Sequence, residues 1–208
     1  MGTRDRRSRE KLARREAILS AAKAVFTEKG LLTSTIDDVA ERAEVAKGTI
    51  YLYFKAKEEI FAALMDEGLE LVGKRFSDAV DLSLPADENL RRLCDAYCRV
   101  YREEPQYFKL LFFCSHADVR AKMCANPSEC QGLPPLAALI QRGIDEGTFS
   151  ATVDAVKAAA IAWGSSNGII LMFEQELRGS ARFELPIEDL LRTNMELLIR
   201  GLKAANPD

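Results

Sequence analysis

Apolar residues recur at spacings of three and four along nearly all of this chain, which leaves few folds open to it. No alternating segment is long enough to read as a strand, so the fold class is all-α. Gly and Pro cut the pattern at Gly30, Pro85, Pro105, Asn126-Pro127, Pro134-Pro135, Gly147 and Pro186. Each fits the end of one helix or the first turn of the next. With 208 residues and 48% hydrophobic content, the chain can bury a sizeable core and is not a disordered one.

The front end resolves into three short helices. Ile18, Ala22, Val25 and Phe26 form the stripe of a first helix that ends at Gly30. Thr35 caps a second, with Asp38 three residues on in a capping-box arrangement, and Ile36, Val39, Ala40 and Ala43 as its buried face. Val45, Ile50 and Phe54 carry the core into a third helix of about two turns. Two short helices joined by a tight turn between Thr35 and Lys57 have the form of a helix-turn-helix, whose second helix enters the DNA major groove.

The candidate DNA-binding residues follow from that placement. The helix start at Thr35 offers free amides to a phosphate. Lys47, Gly48 and Thr49 stand at the exposed side of the third helix, where Gly48 permits close approach and Thr49 reaches a base, a phosphate or a thymine methyl. Tyr51, Tyr53, Lys55 and Lys57 supply donors that fix a protein on the phosphate backbone.

Charge supports the reading once it is divided along the chain. Residues 1–57 carry 13 Lys and Arg against 8 Asp and Glu, whereas the rest carries 16 against 24, within an overall charge of -3. A basic front end on an acidic body suits a phosphate-binding head. The run Arg4, Arg6, Arg7, Arg9, Lys11, Arg14 and Arg15 has no apolar segment behind it, so it is not a signal peptide. It reads either as a solvated tail or as an arm that reaches along the backbone or into the minor groove. Apolar stretches meet Gly or charge before about 18 residues, so no membrane span is expected. Five cysteines without secretion features fit reduced thiols in a cytoplasm.

Residues 16–61 resemble the N-terminal domain of the TetR (tetracycline repressor-like) family of bacterial transcriptional regulators. The likeness is carried by Ala21-Ala22 with Phe26, then Gly30, Thr35, Val39-Ala40 and Val45. It continues through Lys47-Gly-Thr-Ile-Tyr-x-Tyr-Phe54 and Lys57-Glu-x-x-Phe61. Three positions depart from the pattern: Glu44 stands where the family commonly has a turn glycine, and Ala46 and Ala56 where capping residues often begin the third and fourth helices. The resemblance implies a DNA-binding domain over residues 1–56 and a helical regulatory domain over 57–208. The latter would dimerise, bind a small inducer and release a double-stranded DNA operator.

The body is compatible with that division. Residues 152–178 and 186–205 are apolar on nearly every side, as expected of helices that pack with their copies in a homodimer, and Gly164, Ser165, Ser166 and Gly168 would allow close approach. Candidate pocket residues, within about 57–150 and on the first of those helices, are Phe76, Tyr97, Tyr101, Tyr107, Phe108, Leu111, Phe112, Trp163, Asn167 and Met172. They suit an apolar or aromatic inducer. An alternative is redox or metal sensing through Cys94, Cys98, Cys114, Cys124 and Cys130, with His116 near Cys114. With one His, no Gly-rich phosphate loop and no nucleophile elbow, the chain offers no catalytic constellation and no cofactor site.

Overall fold

A computed structural model describes residues 3–108, 133–174 and 185–203. Among these the chain forms helices and turns only, and the all-α expectation holds. The helices are α1 (Thr3–Lys29), α2 (Ile36–Arg42), α3 (Lys47–Tyr51), α4 (Lys57–Ala79), α5 (Ala86–Glu103), α6 (Leu133–Asp145), α7 (Ala155–Met172) and α8 (Ile187–Leu202). They fall into two compact units that divide within α4, after Gly68. The first holds the described residues up to Gly68 together with 106–108; the second holds the remainder.

The first unit is built on one apolar cluster. Ile18, Leu19, Val25 and Phe26 of α1 meet Val39 of α2, Ile50 of α3, and Ile60, Phe61 and Leu64 of α4, all close to fully buried. The Phe26 and Phe61 rings lie 6.4 Å apart. Two exposed ion pairs fasten α1 to α2: Arg42 donates to both Glu28 oxygens at 3.0 and 2.6 Å, and Lys29 reaches Asp38 at 2.6 Å. The basic run that reads as tail or arm is helical, because α1 is continuous from Thr3. Its inner end is anchored where the Arg15 guanidinium lies 5.2 Å above the centre of the Phe54 ring.

The turn after α2 explains how Glu44 is accommodated. Val45 N donates to Ala40 O at 3.0 Å and Glu44 N to Glu41 O at 3.1 Å, the bonding of a Schellman termination. That motif needs a left-handed residue, and Glu44 has φ 53°. A side chain there costs on the order of 1 kcal/mol, which glycine avoids at some expense in chain entropy. Glu44→Gly is therefore expected to raise the stability of this unit by about 0.5 kcal/mol, read as the shift of its denaturant midpoint. A lower midpoint would show that the Glu44 side chain contributes more than its backbone strain costs.

In the second unit α5 packs on α6 and α8, and α7 packs on the same two helices. Pro134 and Pro135 lie in the first turn of α6, where their missing N–H groups cost nothing. Gly143 of α6 permits close packing, since an added Cβ would stand 2.3 Å from the Phe149 ring and 2.8 Å from Ala86. The fully buried Asn89 staples the loop between α4 and α5: its Oδ1 accepts from Asp81 N at 2.7 Å, and its Nδ2 donates to Asp81 O at 2.8 Å and Leu84 O at 3.1 Å.

Helix α7 begins at a side-chain cap, Asp154, which accepts from Val156 N and Lys157 N. Its 18 residues reach a mean hydropathy of 1.2 with 28% buried, so by length and composition alone it could cross a membrane. The glycines that break the sequence pattern do not break the helix, because packing on α6 and α8 holds it.

Candidate nucleic-acid interface and ligand cavity

The helix-turn-helix begins at a closed capping box. Thr35 caps α2: its Oγ1 accepts from Asp38 N at 3.2 Å, while its own N donates to Asp38 Oδ2 at 2.8 Å. The Lys29 ammonium and the Thr35 donors draw the pKa of the Asp38 carboxyl down to about 2. Its stabilising contribution is thus complete above the ordinary carboxylate range and is lost as pH falls through about 2. The start of α2, which the sequence offers to a phosphate, already holds this carboxylate, with Asp37 beside it.

α3 is a single five-residue turn-and-a-half without a side-chain cap at Ala46. Ile50 and, just beyond, Phe54 face inward. Lys47, Gly48, Tyr51 and Lys55 are exposed, whereas Thr49 and Tyr53 are half-buried. Nothing lies within 4 Å of a Cβ built on Gly48, so the backbone there is open to approach. Lys47 is held at 2.7 Å by Asp37, which raises its pKa above the ordinary lysine value; a phosphate would have to displace that carboxylate. Leu52 is 79% exposed, the most exposed of the large apolar side chains described. Neither polarity nor charge marks it in the sequence, yet a branched apolar group beside Tyr51 suits contact with a thymine methyl.

Lys57 is placed differently from the other lysines. Its Nζ donates to Leu31 O at 2.5 Å and Ser34 O at 2.7 Å, tying the start of α4 to the turn between α1 and α2. Lys57→Met keeps the aliphatic stem and removes both bonds. It is expected to cost about 1–3 kcal/mol in unfolding free energy. If stability were unchanged while the salt dependence of DNA binding became shallower by about one unit, Lys57 would instead be a phosphate contact.

The pocket residues named from sequence are scattered. Phe76, Tyr97 and Trp163 converge in the second unit, with ring centroids 6.2, 6.5 and 5.8 Å apart. The Tyr97 hydroxyl donates to Asn167 Oδ1 at 2.8 Å. The cavity these rings border measures about 20 Å³, room for about one water. Tyr101 donates to the Glu174 carboxylate, and Met172 is 41% exposed. Tyr107 and Phe108 belong to the first unit, where the Tyr107 ring lies beneath the Lys23 ammonium at 4.5 Å and its hydroxyl reaches Glu67 at 3.3 Å. Leu111 and Phe112 lie outside the described residues, as do Cys114, His116, Cys124 and Cys130. Cys94 and Cys98 are both buried and reduced, one turn apart on α5.

A larger groove of about 590 Å³ opens beside the aromatic trio, sharing Phe76 and Leu93 with it. Gly73 and Ser77 of α4, Val80 and Leu82 after it, and Pro135, Ala138, Leu139 and Arg142 of α6 complete its walls. No aromatic pattern marks it in the sequence, because α4 contributes a glycine there and the loop contributes aliphatic side chains. Its volume falls within the common range of small-molecule sites, about 300–1,000 Å³.

A three-helix head whose third helix is exposed, followed by a helical unit carrying a groove, has the arrangement of a helix-turn-helix regulator. Comparison with known proteins agrees. The family model for "Bacterial regulatory proteins, tetR family" matches residues 18–64. The chain is 42% identical over 79 residues to the uncharacterized HTH-type transcriptional regulator YhgD of Bacillus subtilis, a match spanning 38% of this chain and 41% of that protein. Across more of its length it is 29% identical over 176 residues to the uncharacterized HTH-type transcriptional regulator YfiR of the same organism, covering 78% and 82% respectively. Its fold superposes with a TM-score of 0.77 at 23% identity on the transcriptional regulator FadR from Bacillus subtilis in complex with stearoyl-CoA, covering 89% of this chain and 98% of that one. Residues 18–64 thus carry the DNA-binding pattern of the tetR family, and the relatives matched along the chain are transcriptional regulators.

Proposed function

We propose that this regulator is a cytoplasmic repressor that binds a pseudo-palindromic operator as a homodimer and is released by a small apolar effector. The observation that carries the DNA side is the open face of α3, where Lys47, Gly48, Tyr51 and Leu52 are exposed together over a fully buried Ile50. In this reading residues 1–56 form the DNA-binding domain, Thr49 joins that face as a base contact, Tyr53 and Lys55 flank it toward the backbone, and Lys57, named from sequence as a further backbone contact, instead braces the start of α4.

The dimer side rests on α7 and α8. Val156, Ile161 and Leu197 are more than 60% exposed, and Gly164 and Gly168 have open space where a Cβ would stand. Such a surface gains by meeting its own copy, and two recognition helices about 34–36 Å apart would then read an inverted repeat. The effector side rests on the groove of the second unit and on the acyl thioester bound by FadR, whose fold the chain shares.

Fluorescence anisotropy of a labelled operator fragment tests the release step. Adding a long- or medium-chain fatty acid, or its CoA thioester, is expected to return the anisotropy toward that of free DNA. An operator complex that persists through saturation with such ligands, and through oxidation and thiol-reactive metal, would overturn effector control of this kind. Sensing through the thiols remains the second reading because Cys94 and Cys98 adjoin each other. It requires that a variant with all five cysteines changed to Ser lose its response.

A further inference from the structure

We infer that the groove between α4 and α6 takes an apolar monocarboxylate, with its carboxylate seated on Arg142; this rests on the effector reading above and names its ligand class. Among the described residues lining the groove, Ser77 adds one neutral polar side chain, and Arg142 is the one charged side chain. Its other nitrogens are committed: Nε donates to Glu146 at 2.5 Å, and Nη2 donates to Leu82 O at 2.9 Å and Leu84 O at 3.1 Å. Those bonds fix the guanidinium against a loop that Asn89 already staples. Nη1 is buried and meets no acceptor among the described residues. A buried guanidinium N–H without a partner costs free energy, and a ligand oxygen supplied at that point recovers it. A charged oxygen recovers more than a neutral one, because hydrogen bonds between ionised partners are about twice as strong. The remaining walls, apolar apart from Ser77, suit an apolar chain or ring system for the rest of the ligand. Glu146 faces the same guanidinium and opposes an incoming anion, so it limits affinity.

Decanoate and 1-decanol are suitable probes, titrated into the full chain by calorimetry and by the fluorescence of Trp163, the one tryptophan. Its ring lies 6.5 Å from that of Phe76 on the groove wall. Decanoate is expected to bind at least about tenfold more tightly than decanol. Arg142→Met should lower decanoate affinity about 10- to 100-fold and leave decanol nearly unchanged. Glu146→Gln should raise decanoate affinity, a gain that a merely structural ion pair would not give. Gly73→Leu provides a variant that does not depend on Arg142: an added Cβ meets nothing within 4 Å, and leucine favours helix over glycine. It should keep the thermal midpoint or raise it while removing binding of both probes.

No binding of decanoate to the native protein, or equal affinity in native protein and a folded Arg142→Met, overturns the assignment. Decanoate that binds in this Arg142-dependent way without releasing operator DNA would uphold the site and refute the effector reading. Release by apolar compounds that is indifferent to Arg142 and Gly73 would do the reverse.

Discussion

Phe26→Ala is expected to cost the DNA-binding unit about 3–5 kcal/mol and to abolish operator binding at ordinary temperature, although Phe26 cannot touch DNA. The side chain is fully buried, its ring meets Phe61, and the surrounding cluster joins α1, α2 and α3 to α4. A small unit has few other sources of apolar burial, so a loss of this size approaches the whole stability of a domain this small. Denaturant unfolding followed by circular dichroism would show the head melting first. A native-like midpoint would mean that α1 and α4 collapse around the missing ring, and that the packing of α3 is less dependent on this cluster than its burial indicates.

Removing residues 1–11 is expected to weaken DNA binding at least tenfold near 0.1 M salt and to make the salt dependence shallower by about two to four units, at about 0.9 unit for each phosphate no longer neutralised. The deletion takes away Arg4, Arg6, Arg7, Arg9 and Lys11, while the stack of Arg15 on Phe54 remains. Because α1 continues unbroken through this run, these cations are carried on one helix rather than on a loose tail. Partial pairing within the helix, as between Arg6 and Glu10 at 2.8 Å, reduces the effect below that of five free cations. An unchanged slope would show that the segment stays in solvent when DNA is bound.

The head is legible in the sequence because its signals are local. Thr35 with Asp38, Gly30, and the apolar spacing of Ile18 to Phe26 each act through neighbours within a turn or two, and all appear in the structure in those roles. Glu44 is legible as well: a turn position of that kind needs a left-handed residue whatever the side chain, and its φ of 53° is the result. What residue types cannot tell is which polar groups are spent internally. Lys57 looks like any solvent lysine until the carbonyls of Leu31 and Ser34, more than twenty residues away, come to meet it. Lys47 and Asp37 are likewise ten residues apart in sequence and joined only by the turn.

The groove is the least legible part. Phe76, Tyr97 and Trp163 pack on one another and nearly fill their own space, as aromatic rings do when they find partners. A cavity arises instead where packing is absent, and absence has no residue signature beyond Gly73 on α4. Arg142 reads as a surface charge in the sequence, yet it becomes a wall of the groove through bonds to a loop about sixty residues earlier.

The decisive measurement is selection of duplexes from a randomised library by the full-length protein. Enrichment of an inverted repeat is expected, its half-sites about one helical turn apart, with base preferences that change in Thr49→Ala and Leu52→Ala variants of native stability. Failure to enrich any sequence, or enrichment with preferences identical in both variants, would contradict the assignment of α3 as the element that reads DNA.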